Sequence, residues 1–307
     1  MTHLLLSSPM YQETAALVIG FLFVMGVVFY PFRDNSTHSL AAWASLKSWI
    51  FFGPFLFILA GFSYPWPIFL LGLFGISACK GFFQMTGMYH RSWFVWVTYF
   101  FVAASTYMIY QRDTTYYDMM PMLFLGTLSL IPIVRNSSKR MIQYIALSLM
   151  GFVFFGWSFL HLGRMLLWEK GVFIVVYVFI LAEIADNASV IGSLLLGKHK
   201  VASLISTRTT YEGLLFSVAL TTLAAWGLRH LLPIRTEPYW LAAGLATSIV
   251  GVFGDLFLCT IRRDLGIKSS GLFIIGRGDI IDRMDKLIFI APVLYYVVNW
   301  LGIPERL

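Results

Sequence analysis

Continuous apolar runs of membrane length recur along almost the whole chain, and they restrict it to one broad class of fold. A spanning helix needs roughly 20 apolar residues. The sequence predicts about ten such segments, at 13–32, 49–64, 66–86, 93–110, 119–134, 141–163, 171–192, 213–232, 239–258 and 285–302. Barrel strands would alternate apolar and polar residues over about ten positions. These runs are unbroken, so helices are expected. Only 12% of residues are charged, against about 25% in soluble domains. The expected fold is an all-α, polytopic integral membrane protein. Pro65 and Pro67 separate the second and third runs, as either a loop or a kink. The first run follows neither a basic n-region nor a small-residue cleavage site, so it is expected to be a retained helix.

The basic residues give an orientation. With ten spans, one side receives 16 Lys and Arg and the other six. Under the positive-inside rule both termini face outward and the richer side faces the cytoplasm. The net charge of +7 then reads as a collar for anionic headgroups, so membrane lipids are expected partners and nucleic acid is not. Cys79 and Cys259 are too few and too distant in sequence for a disulfide framework or a thiolate metal site.

Two segments break the apolar pattern. Gly254 to Lys286 holds 11 of the chain's 37 charged residues, and acids next to or within a membrane are costly enough to mark function. Asp255, Arg262, Arg263, Lys268, Arg277, Asp282, Arg283 and Asp285 all fall there. An ordinary helix start could account for Asp282, Arg283, Asp285 and Lys286 as capping charge. The second segment runs from Asp186 through Gly197-Lys198-His199-Lys200 to Ser206-Thr207-Arg208-Thr209-Thr210-Tyr211-Glu212-Gly213. Glu183 and Asp186 share one helical face and should look inward. The hydroxyls, free N–H groups and arginine before the next helix suit phosphate oxygens, while a plain N-cap would use the same residue types.

Together these segments resemble the phosphatidate cytidylyltransferase (CDP-diacylglycerol synthase) family, as a divergent member. The family's C-terminal pattern reads here, without insertion, as Gly254-Asp255-Leu256, Cys259, Arg262-Arg263, Gly266-Ile267-Lys268-Ser269, Ile275-Gly276-Arg277-Gly278-Asp279 and Asp282-Arg283-Met284-Asp285. Its upstream elements read as Ala185-Asp186, Gly197-Lys198-His199-Lys200 and the Ser206 to Gly213 stretch. The likeness covers about Gly151 to Val297. Four departures stand out: Cys259 for a serine, Ser269 for an aspartate, Ile275 to Asp279 for a Pro-Gly-His-Gly-Gly turn, and Thr209 for a lysine.

The resemblance implies transfer of CMP from CTP to phosphatidic acid or a related lipid phosphate, giving CDP-diacylglycerol and pyrophosphate. It implies Mg²⁺ on Asp255 and Asp282, with room for a second cation, and catalytic roles for Asp255, Lys268, Asp282, Arg283 and Asp285. Asp186, Lys198, Ser206, Arg208, Thr210, Arg262, Arg263 and Arg277 are the expected nucleotide and phosphate contacts. Residues 1–140 would form N-terminal membrane helices and 141–307 the catalytic region. A bacterial inner membrane, a cytoplasm-facing site and a homodimer fit the same picture. The departures raise two alternatives: a paralogue acting on another lipid phosphate or lipid alcohol, and a non-catalytic lipid-binding membrane protein.

Overall fold

The computed structural model describes residues 9–32, 61–62, 64–168, 170–206, 209–232, 237–266 and 284–301, with isolated positions at 43, 50, 53, 54 and 57. The described residues fall into two compact units, one up to Pro67 and one from Ile68 on. In the first, the apolar helix α1 (Pro9–Phe29) ends in a single 3-10 turn. Its Tyr11 hydroxyl donates to the carbonyl of Phe57, and the two rings meet edge-on at 5.9 Å.

Eight further helices follow: α2 (Trp66–Met85), α3 (Ser92–Tyr110), α4 (Thr114–Val134), α5 (Met141–Met165), α6 (Gly171–Leu196), α7 (Tyr211–Gly227), α8 (Glu237–Asp264) and α9 (Leu287–Trp300). The described residues form no strand, and their one isolated bridge joins Lys200 to Thr210. Seven helices, α1 to α6 and α8, are long and apolar enough to cross a membrane. The chain is therefore an all-α polytopic membrane protein. Nine of the ten expected runs have a helix; the run at 49–64 lies almost wholly outside the described residues.

Local chemistry sets the ends and the bends. Asp113 caps α4 by accepting the Tyr116 N–H at 3.1 Å, which starts that helix ahead of its apolar run. Within the spans, hydroxyls satisfy themselves on the backbone, as a dry environment requires. Thr98, Ser105 and Thr106 each donate to the carbonyl four residues earlier at 2.8 Å. The middle of α5 widens into a π-helix over Gly151–Ser158. It turns Phe152 and Phe155 fully inward, and the Phe152 ring packs tilted against Phe124 of α4 at 4.4 Å.

Past the π segment, α5 contributes a polar node. Arg164 binds Asp118 of α4 at 2.7 Å, and its guanidinium lies 4.2 Å from the Tyr295 ring of α9 and 5.1 Å from the Tyr117 ring. The Tyr117 hydroxyl donates to the Trp157 carbonyl at 2.6 Å, beside the fully buried His161. An arginine fixed by one carboxylate and two aromatic faces ties α4, α5 and α9 together.

Helices α6 to α9 pack as neighbours, α6 on α7 and α8, and α8 on α9. Small residues make the close approaches, as membrane helix packing favours. A Cβ added at Gly192 would come within 2.6 Å of Phe216, and one at Gly244 within 2.8 Å of the Thr222 backbone. Successive antiparallel helices place the end of α6, the end of α8 and the start of α9 at one end of this bundle.

Candidate active site

Three elements converge at that end. Gly254 of α8 packs on the turn that precedes α9: a Cβ there would collide with the Asp285 carbonyl oxygen and lie 3.0 Å from Lys286 Cα. Gly251, one turn earlier, leaves space beside the Lys286 stem, since a Cβ added to it would lie 3.9 Å from Lys286 Cβ. The missing side chains let two backbones touch, and Asp255 is carried to Asp285 as a result. From the third side, Asp186 of α6 forms an ion pair with the Lys286 ammonium. The Lys286 side chain is 13% exposed and that of Asp186 30%. Asp285, Asp255 and Glu183 all lie within electrostatic reach of Lys286.

Around this centre the hydrogen bonds are short-range. Asp285 accepts the Lys286 N–H at 2.8 Å, and Glu183 accepts from the Asn187 amide at 3.0 Å. The Cys259 thiol, one turn beyond Asp255, points at its carboxylate with Sγ 3.9 Å from Oδ1. Arg262 lies two turns beyond Asp255 on the same face, and Arg263 beside it is exposed, both in the last turn of α8. Basic residues suit the carbonyl-rich end of a helix. At a rise of about 1.5 Å per residue, Asp255 lies roughly 10 Å below Arg262 along the helix. The acids are recessed and the arginines sit at the rim.

The loop between α6 and α7 forms a second, folded patch at the same end. Glu212 accepts the backbone N–H groups of Lys198 and His199 at 3.1 and 3.2 Å, and its other oxygen meets His199 Nδ1 at 2.6 Å. The His199 hydrogen bond, with those backbone N–H groups, holds the Glu212 carboxyl down at about 2. Thr210 accepts the Gly213 N–H at 3.1 Å and donates to Ser193 at 3.0 Å, so it caps α7. Ser206 and Thr209 share a hydrogen bond of 2.9 Å, and both are buried. Lys198 is exposed beside them.

Of the residues singled out from sequence, the fold brings Asp186, Asp255 and Asp285 together, puts Arg262 and Arg263 above them, and keeps Lys198, Ser206 and Thr210 in the separate loop patch. Arg208, Lys268, Arg277, Asp282 and Arg283 lie outside the described residues. In the sequence Lys286 figured only in the helix-start alternative, and its partner was missed. The signal was there in Asp186, an inward acid with no cation on its own helix face. The donors fit a hard cation: Mg²⁺ commonly takes one or two carboxylates and completes its shell with water and substrate phosphate. Among the described residues no group of three or more His, Cys, Asp or Glu side chains could hold an ion alone.

Comparison with known proteins points the same way. A model of the cytidylyltransferase family matches residues 43–301. Over 136 residues the chain is 35% identical to a phosphatidate cytidylyltransferase of Synechocystis, covering 42% of this chain and 44% of that protein. It is 34% identical over 132 residues to the uncharacterized protein YnbB of Escherichia coli K12, covering 43% and 44%. A Staphylococcus aureus phosphatidate cytidylyltransferase shares 27% over 142 residues, 45% of this chain and 54% of its own length. The chain thus spans about half the length of the curated relatives it matches.

Proposed function

We propose, since this chain belongs to the cytidylyltransferase family, that it transfers CMP from CTP to phosphatidic acid at the recessed acid cluster, in a bacterial inner membrane with the site facing the cytoplasm. A phosphate oxygen of the lipid forms a bond to the α-phosphorus of CTP, the bond to the bridging α–β oxygen breaks, and pyrophosphate leaves. The observation that carries the reading is the convergence of Asp186, Asp255 and Asp285 from three elements, held by the contact of Gly254 with Asp285.

Two anions must meet here, so the work is neutralisation and alignment. Asp255 and Asp282 would hold Mg²⁺, which when bound supplies positive charge to the phosphate oxygens. Asp285 would orient a water in that shell. Arg262 and Arg263 at the rim, with Lys268, Arg277 and Arg283, offer forks and point charges to the triphosphate and the lipid phosphate. Lys198 and Arg208 add charge from the loop patch. Apolar walls of the surrounding helices suit acyl chains entering from the bilayer.

A second reading, a different lipid phosphate or lipid alcohol as acceptor, is favoured by Thr209. It is buried against Ser206 where the family carries a lysine. Purified protein in lipid, given radiolabelled CTP, Mg²⁺ and a panel of lipid phosphates and alcohols, tests both. CDP-diacylglycerol is the expected product. Product with another lipid alone would replace the acceptor, and no product with any would end the enzymatic reading.

A further inference from the structure

The position of Lys286 is unusual for a residue at the start of an apolar helix. Its charge does not pair along its own helix; its Cβ lies beside Gly251 and its Cα beside Gly254, and its ammonium meets Asp186 of α6. Four carboxylates, those of Glu183, Asp186, Asp255 and Asp285, lie within electrostatic reach of it. Packing alone would be served by an apolar side chain of the same length. Acids gathered this closely repel one another, and a cation among them lowers that cost.

We propose that Lys286 is a tethered cation: its ammonium stands where a second metal ion would otherwise balance these acids, and it holds down the affinity of the remaining divalent site. This rests on the reading of the cluster as a divalent-cation site. The fixed positive charge leaves room for one exchangeable ion and keeps that ion weakly enough bound to be shared with incoming phosphates. Lys286 acts on substrate through the charge of the cluster, so it is a positioning residue.

The test is Mn²⁺ binding to the full chain in lipid nanodiscs without nucleotide, read as stoichiometry and Kd by electron paramagnetic resonance. Wild type is expected to bind one Mn²⁺. Lys286→Met keeps the stem and removes the charge, and should bind Mn²⁺ at least about tenfold more tightly, the direction that Coulomb's law requires at such separations. Lys286→Arg should stay within about threefold of wild type, since it keeps the charge. Asp186→Asn combined with Lys286→Met restores the net charge and should return the affinity to near the wild-type value. A merely structural lysine would give the opposite sign, because loosening the three elements weakens the ion's site. Weaker or unchanged Mn²⁺ binding in Lys286→Met, or two ions in wild type, would overturn the proposal. Lys286→Gln serves if Lys286→Met does not fold. CMP transfer measured on the same preparations separates the two ideas: inactive protein with the expected Mn²⁺ shifts refutes the enzymatic reading alone, and absence of any Mn²⁺ binding refutes the tethered cation with it.

Discussion

Two charged nodes sit inside this helical membrane protein, and they are built on opposite principles. Between α4, α5 and α9, Arg164 meets one carboxylate, Asp118, and its remaining faces lie on aromatic rings. Charge is balanced there, and the rings occupy the space a ligand would need. Among α6, α8 and the turn before α9, one lysine faces four carboxylates. Among the described residues acid outnumbers base there, and a glycine seam holds the groups together. Both nodes carry the cost of charge in an apolar setting. A balanced pair is sufficient for itself and ties helices, whereas acids gathered this closely call for further positive charge beside them. Membrane burial alone therefore does not single out the proposed site; the gathering of several acids around one lysine does.

The sharpest way to break that contrast is to neutralise the acids of the proposed metal site and, separately, the acid that pairs with Arg164. Asp255→Asn, and Asp282→Asn likewise, should lower CMP transfer by about a thousandfold or more while leaving the helical circular dichroism and elution volume unchanged. Near-full activity in either would remove the metal assignment. Asp118→Asn should instead cost about 2 kcal/mol of stability and leave turnover of the folded protein within about twofold. That figure lies below the about 3–5 of a fully buried pair because the Asp118 side chain is 46% exposed. Activity loss without loss of thermal stability would make the balanced node a working part.

Between these extremes lies the glycine seam. Gly254→Ala must push the Asp285 carbonyl away, so it should reduce activity by about a hundredfold, since a shift of about 1 Å at such a site is worth that much. Its unfolding temperature should fall as well. Gly126→Ala on α4, where an added Cβ meets nothing within 4 Å, is the matched control. It should be neutral or slightly stabilising, because alanine favours a helix by up to about 1 kcal/mol. Equal behaviour of the two variants would show that the close approach is not what gathers the acids.

Much of this was legible in the sequence, because lipid forces each span to declare itself as an unbroken apolar run. What the runs could not show were features without a local pattern. The π segment of α5 reads Gly-Phe-Val-Phe-Phe-Gly-Trp-Ser, apolar on every side, so no polar phase reveals the altered pitch. Helix α8 outlasts its apolar run and carries Arg262 and Arg263 on its last turn, because basic side chains are welcome at a helix C-terminus. The family match reaches back to residue 43, into helices that offer the eye nothing but hydrophobicity. At the site, Gly254 and Asp255 stood out as a motif, yet the reason for the glycine is the backbone of Asp285 on another element. Lys286 and Asp186 are separated by most of the C-terminal half, and Arg164 and Asp118 stand 46 residues apart on two helices. Pairings of that kind are fixed by packing, which no window of sequence contains.

The mildest test lies at Cys259, where the acid-rich node touches a neutral donor. Its thiol points at Asp255 Oδ1 from 3.9 Å, long and weak even for sulfur. A serine hydroxyl is smaller and a stronger donor, so Cys259→Ser should hold Asp255 at least as firmly and leave CMP transfer unchanged or raised by up to about threefold, within the worth of one modest hydrogen bond. Cys259→Ala removes the donor altogether and should cost no more than about threefold, because a donor this distant contributes little to a carboxylate at a crowded helix junction. A direct phosphoryl transfer uses no thiolate, so treatment with a small thiol reagent should act through bulk alone and spare the serine variant. Complete loss in Cys259→Ser would give the thiol a chemical role, and the gathering of acids would then no longer suffice as the reason for placing the proposed reaction at this node and not at the balanced one.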